Sequence, residues 1–131
     1  IWVIGDKIGK PSYTTNSIGW GDTKAICMVP LGNKKYQISL KAGENIPVED
    51  INFKFFHQKG WGGEFGHTKI SIDSDLVFIG EDQDPGPGNE KRGDGNLGLY
   101  KGKTLKDKTT YVFTIDLSGG NDNAVLTVTE K

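Results

Sequence analysis

The side chains best suited to chemistry in this chain of 131 residues are aromatic. Trp20 stands in SIGWGDTK and Trp61 in HQKGWGGEFGH, each bracketed by glycine and outside any alternating apolar run. An indole carried where the backbone is loosest offers a flat apolar plate to solvent. The ligand class that fits such a plate is a pyranose, whose axial C–H face is effectively apolar and whose rim carries hydroxyls. The stretch leading to Trp61 adds hydroxyl partners. Ile51, Phe53 and Phe55 alternate onto one face of a strand and Asn52, Lys54 and Phe56 onto the other, so Lys54 and Asn52 are expected to point away from the core. A tryptophan under a loop also serves as a plug for the end of a sandwich, and that reading competes for both indoles.

Catalytic and metal chemistry finds less support. Glycoside cleavage needs two carboxylates facing one bond; Glu64, beside Trp61, is the best single candidate, and the sequence names no partner for it. No Ser, His and Asp order stands out, and no nucleophile sits in a recognisable strained turn. The acidic stretch after Gly80 supplies hard oxygen ligands of the type calcium takes, namely Glu81, Asp82, Asp84, Asn89, Glu90 and Asp94. Gly86 falls where a calcium loop of the helical-hand kind needs another ligand, and Lys91 and Arg92 offset part of the charge. A site on Asp82, Asp84 and Asp94 is therefore a weak alternative to a solvated connection. His57 and His67 lie ten apart without carboxylate spacing for zinc. Arg92-Gly93-Asp94 spells an adhesion tripeptide in a loop where glycine and aspartate are expected anyway. Gly93, Gly95 and Gly98 imitate a dinucleotide fingerprint without the flanking strand and helix, and GLYKGKT is one residue short of a phosphate loop.

The elements that must position these residues are strands. Apolar residues recur with a period of two over Ile1–Ile4, Lys24–Val29 (stopped by Pro30), Lys35–Lys41, Ile51–Phe56, Thr68–Ile72, Leu76–Ile79, Tyr111–Leu117 and Ala124–Thr129. PLGNKK reads as a hairpin turn, with Gly32 and Asn33 able to take positive φ. Trp2, Tyr36, Phe53 and Phe55 read as core. Nineteen glycines interrupt any helical stripe. Short strands with turn signals every ten or so residues indicate an all-β fold, an immunoglobulin-like sandwich of about seven to nine mostly antiparallel strands. Gly80–Gly95 reads as one long solvated loop. The length suits one domain spanning 1–131. Sixteen basic residues nearly cancel seventeen acidic ones, so the chain offers no field for nucleic acid. Cys27 is alone, which excludes an internal disulfide. No stretch approaches the ~20 apolar residues of a spanning helix, and with no leader before Ile1 the chain reads as excised from something longer.

The order IWVIGD, IGWGD, LKAGENIPVEDINFKFF, KGWGGEFG, GDGNLGL and TYVFTIDLSGGNDNAVLTV resembles one module of the SusE/SusF-like surface glycan-binding proteins. That resemblance implies an immunoglobulin-like sandwich, several modules in tandem, a lipid anchor on a bacterial outer membrane, an importer and sibling modules as partners, and no catalysis or cofactor. It also implies a tryptophan after the first strand, a lysine on the outward face of the FKF strand, an aromatic in the next loop and an asparagine in the later glycine-rich loop. These positions hold Trp20, Lys54, Trp61 and Asn96. The insertion from Glu81 to Asp94 departs from the pattern and would wall off or reshape the site.

Residues and resemblance together lead to the expectation of a non-catalytic module that binds a polysaccharide, a starch-like glucan or related glycan, at the cell surface. Trp20 and Trp61 stack on sugar, Lys54 and Asn96 bond hydroxyls, and His57, Lys59, Glu64 and Tyr13 form the rim. The alternatives are a spacer with its tryptophans packed under loops, a protein-interaction module using the same aromatics as hot spots, and a hydrolase.

Overall fold

The computed structural model describes residues 1–88 and 90–131. Among these the chain forms β1 (Trp2–Gly9), β2 (Ser17–Gly19), β3 (Ile26–Cys27), β4 (Val29–Gly32), β5 (Lys35–Lys41), β6 (Asn52–Phe56), β7 (Ile70–Ile72), β8 (Val77–Ile79), β9 (Leu97–Leu99), β10 (Thr110–Asp116) and β11 (Ala124–Glu130), with one short 3-10 turn at Asp22–Lys24 and no α-helix.

Residue alternation explains how the strands stack. In β10 the buried Tyr111, Phe113 and Ile115 alternate with half-buried neighbours. Phe53 and Phe55 point inward from β6, whose other face is also covered at Lys54 and Phe56, and meet Phe113 with ring centroids 5.4 and 6.4 Å apart. β6 and β10 belong to different sheets, so these three rings tie the sheets into a sandwich. One sheet centres on β1, with β6 on one edge and β2 and β3 on the other. The other runs β4-β5-β10-β11-β7, antiparallel except for the β11–β7 pair, and β8 and β9 form a separate two-stranded ribbon.

Several expectations need correction. The strand expected over Lys24–Val29 is two strands in two sheets: β3 pairs with β1, β4 pairs with β5, and buried Met28 marks the crossing, its N–H donating to the Ile1 carbonyl at 2.8 Å. Pro30 does not end the strand, because β4 is a sheet edge where a missing N–H costs no ladder bond. The hairpin turns on Asn33 and Lys34, with φ of 55° and 62°, the left-handed pair whose twist suits a two-residue connection. β1 continues past Gly5 to Gly9. The strand total exceeds nine because several strands have only two or three residues.

Gly80–Gly95 is not simply solvated. Its base extends the β8–β9 ribbon, through Gly80 N–H to Asn96 O (2.7 Å), Gly95 N–H to Gly80 O (2.9 Å) and Asp82 N–H to Arg92 O (3.2 Å). Arg92 is only 7% exposed and pairs with Asp50, so the adhesion tripeptide is not presented to a partner. Trp2 and Tyr36 are half-buried rather than central.

Because Phe113 is fully buried and touches both Phe53 and Phe55, Phe113→Ala is expected to remove about 3–5 kcal/mol of unfolding free energy. Urea unfolding with an unchanged m-value checks this, and a loss below about 1 kcal/mol would contradict the inter-sheet role assigned to that ring.

Candidate functional site

The site grows out of the face of the β1–β6 pair that turns away from the sandwich core. Directly opposed residues in an antiparallel pair share a face. The register Trp2↔Phe56, Ile4↔Lys54 and Asp6↔Asn52 therefore collects six side chains on that outer face. On the other edge of β1, Gly5 pairs with Gly19, which brings Trp20 alongside Ile4. Ile4 and Phe56 are nevertheless fully buried. Both are therefore covered, and over Phe56 the cover is the glycine-rich loop with Trp61.

That loop is closed by the Phe56↔Glu64 bridge and by hydrogen bonds from His57 N–H to Gly63 O (2.7 Å) and Phe65 N–H to Phe55 O (3.0 Å). Gly60 and Gly62 flank Trp61 with φ of 149° and 99°, backbone that residues with a Cβ rarely adopt. These glycines turn the chain back over the sheet, which explains a large aromatic in so loose a sequence. The loop is also held in place: Gln58 Nε2 donates to Trp61 O (3.1 Å), Gly62 N–H to Glu64 Oε2 (2.6 Å), and Trp61 Nε1 to Trp20 O (3.1 Å). Trp61 meets Phe56 edge to face at 5.1 Å and Trp20 at 6.5 Å with the ring planes tilted by 35°. It still leaves 51% of its surface to solvent. The result is a preorganised, bent aromatic surface made of one half-exposed and one half-buried indole.

Lys54 corrects the expectation of an open, outward lysine. It points off the core as alternation predicts, yet it is 8% exposed, with Gly95 packed against the end of its stem and Trp61 beside its ammonium. At Gly95 (φ 82°) an added Cβ would stand 3.0 Å from Lys54 Cε and 2.3 Å from Phe65 O, so only glycine allows this approach. Lys54 Nζ lies 5.7 Å from the Trp61 ring centroid. A cation–π contact supplies about 0.5–2 kcal/mol, less than the several kcal/mol needed to strip an ammonium of water. The tip must therefore stay wet. Consistent with that, the one sealed and unpartnered side-chain nitrogen among the described residues is Arg92 Nε, not Lys54 Nζ.

The structure brings together some of the expected site residues and separates others. Asn96 Nδ2 donates to Asn52 Oδ1 at 3.4 Å, two positions along β6 from Lys54, which is ~7 Å. Lys59 joins the same outer face through Trp2, its Nζ lying 5.3 Å from that ring's centroid. Glu64 shapes the loop through Gly62. His57 packs edge to face on buried Phe65 at 5.5 Å, on the core side rather than the rim. Tyr13 is a correction: its N–H donates to Glu44 O beyond the Gly9 end of β1, on the order of 15 Å along the strand from Ile4. Sequence order carried no information on that separation. Among the described residues no three His, Cys, Asp or Glu side chains gather to hold a metal. Asp82, Asp84 and Asp94 thus do not form the calcium site considered, since Asp94 is bonded to His67; Asn89 lies outside the described residues.

Sequence reasoning missed Trp2 and Phe56 as site components, although Phe56 already shared the Lys54 face by alternation. It also passed over Asp22, whose Oδ2 lies 3.0 Å from where a Cβ on Gly60 would stand. The His67–Asp94 pair was missed as well. Asp94 Oδ1 accepts from His67 N–H at 2.8 Å and lies 2.6 Å from its Nδ1. The hydrogen bond to Asp94 and its charge hold the His67 pKa above the usual 6.5, outweighing desolvation. Partial burial tends to raise the Asp94 pKa, but the bonds from His67 and the charges of His67 and Lys54 hold it below 3.8.

Residues 1–118 match a family described as a domain of unknown function, DUF5121, and the chain belongs to that family. No curated protein and no solved structure matches the chain.

The raised His67 pKa means the pair's stabilisation is complete below the ordinary histidine value and fades as pH rises through the folded value. The lowered Asp94 pKa means it also fades as pH falls through that depressed value. In an NMR titration, His67 is expected to titrate above 6.5 and to fall back toward that value in Asp94→Asn. Identical titration in the two proteins would contradict the pairing.

Proposed function

We propose that this domain binds a neutral polysaccharide or oligosaccharide without cleaving it. The observation that carries the reading is the Trp20–Trp61 pair, preorganised at 35° with the Lys54 ammonium and the Asn52–Asn96 amides along the same sheet face. Two adjoining rings at an angle suit successive sugar rings of a curved chain, each burying a C–H face on an indole. Amides and an ammonium tip then serve hydroxyls at the edge. The loop hydrogen bonds mean that little ordering is left to lose on binding.

In this reading the chemistry stops at binding. Glu64 already accepts from Gly62 N–H, and its role is to shape the loop. The site is shallow, so a single domain binds weakly, and retention at a surface comes from several linked modules that raise the effective concentration. That arrangement accords with the SusE/SusF-like resemblance, which places such a module on a lipid-anchored outer-membrane protein beside an importer. Ion pairing is not the driving term, so affinity changes little with salt.

One observation favours a second reading. Trp61 packs on fully buried Phe56, a structural role that a spacer without a sugar site would also need.

Affinity electrophoresis and tryptophan emission against soluble glucans, mannans, xylans and fructans separate the two. The parent is expected to bind at least one class, Trp61→Ala to lose ~10-fold or more in affinity, equivalent to about 1.4 kcal/mol, and Trp61→Phe to recover part of it. Chromatography of the incubated glycan should show no released product. A folded parent with no response to any glycan would sink the binding reading and leave the spacer, whereas product release would make the domain a hydrolase.

A further inference from the structure

A cavity of about 340 Å³ lies under the 80–95 segment, where β7 and β8 meet the start of that insertion. It neighbours the tryptophan face: His67 lines the cavity, and its partner Asp94 feels the charge of Lys54. From the proposed binding function, and resting on it, we infer that this cavity is a second carbohydrate site that takes one neutral sugar ring, a chain end or a single-residue branch, inserted end-on.

Three features lead to that occupant. Its size stands at the lower end of ligand pockets, which span ~300–1,000 Å³, so it suits one ring and not a stretch of chain. Its lining is divided in the way a sugar ring is. Ile70 and Ile72 from β7 and the Phe78–Tyr100 pair, with ring centroids 5.5 Å apart, form an apolar wall for a C–H face. Glu81 and Gln83, joined by a 3.1 Å hydrogen bond, bring carboxylate and amide groups from the insertion for hydroxyls.

Charge balance excludes an anion as the preferred ligand. Arg92 lines the cavity, but its guanidinium is already matched by Asp50 and by Glu90 at 3.5 Å, and Asp94 faces His67. A carboxylate or phosphate would find no uncompensated positive charge. The same geometry gives the insertion, which departs from the resembled pattern, a role in binding, because it walls off a pocket that the open tryptophan face lacks.

The experiment is an amide NMR titration of the folded domain with free glucose, galactose, mannose and xylose, alongside the oligosaccharide series. It compares the parent, Ile72→Trp, Tyr100→Leu and Trp61→Ala. At least one monosaccharide is expected to shift amides at 70–72 and 78–83 while the Trp20 and Trp61 indole signals stay put. Ile72→Trp should abolish that response by filling the cavity, Tyr100→Leu should weaken it at least threefold, and Trp61→Ala should leave it intact. If oligosaccharides move the indoles but no monosaccharide moves the cavity amides, the second site is wrong and the binding function stands. If neither ligand set produces shifts, both fall. A monosaccharide response that survives Ile72→Trp in a folded protein would also overturn the assignment.

Discussion

Trp61 folded back against Phe56 and Trp20 is the contact on which the outer face depends. It covers the Phe56 side chain, which sheet geometry alone would leave in water, and it lies beside the Lys54 ammonium at 5.7 Å. Removing large apolar groups from water is the strongest favourable term available there, roughly 1.5–3 kcal/mol for a fully buried Phe. The loop makes that contact through Gly60 and Gly62, whose backbone conformations residues with a Cβ rarely adopt. The same contact leaves half of the indole open. Burial fixes the ring and exposure makes it available, so one element is both closure and candidate binding surface.

The second constraint is the close approach of the 93–96 segment to Lys54 at Gly95. It turns an outward lysine into a covered stem with a wet tip, and it brings Asn96 to Asn52 and Asp94 to His67. The tryptophan face and the cavity beneath the insertion are therefore built from the two sides of a single crossing, and the polar pairs at it are neighbours in space despite lying 44 and 27 residues apart in the chain.

Much of this was legible in the residues, and what was missed has physical causes. Alternation in Ile51–Phe56 correctly divided Phe53 and Phe55 from Asn52, Lys54 and Phe56, because a strand's period is two whatever its partners. Glycine brackets singled out Trp20 and Trp61, which do lie together. Periodicity cannot say which strand pairs with which, so the crossing at Met28 and the place of Trp2 opposite Phe56 were invisible. The exposure of Lys54 was overestimated because part of its cover, at Gly95, comes from a segment remote in sequence. Tyr13 was grouped with the site although the pairing of β1 carries it to the far end. The polar composition of Gly80–Gly95 concealed an extended ribbon anchored by Arg92, since a residue type that usually seeks water is held inside by Asp50.

The most direct test of the central claim uses the three indole N–H signals of a nitrogen-15 spectrum, one for each tryptophan, recorded while a glycan that the domain retains is added. If the bent indole pair is the binding surface, the Trp61 and Trp20 indole signals move together and saturate at one concentration, with amides of 60–64 following, while amides of β5 and β10 in the opposite sheet stay unchanged. A saturable response confined to the opposite sheet, with both indoles unmoved, would contradict it.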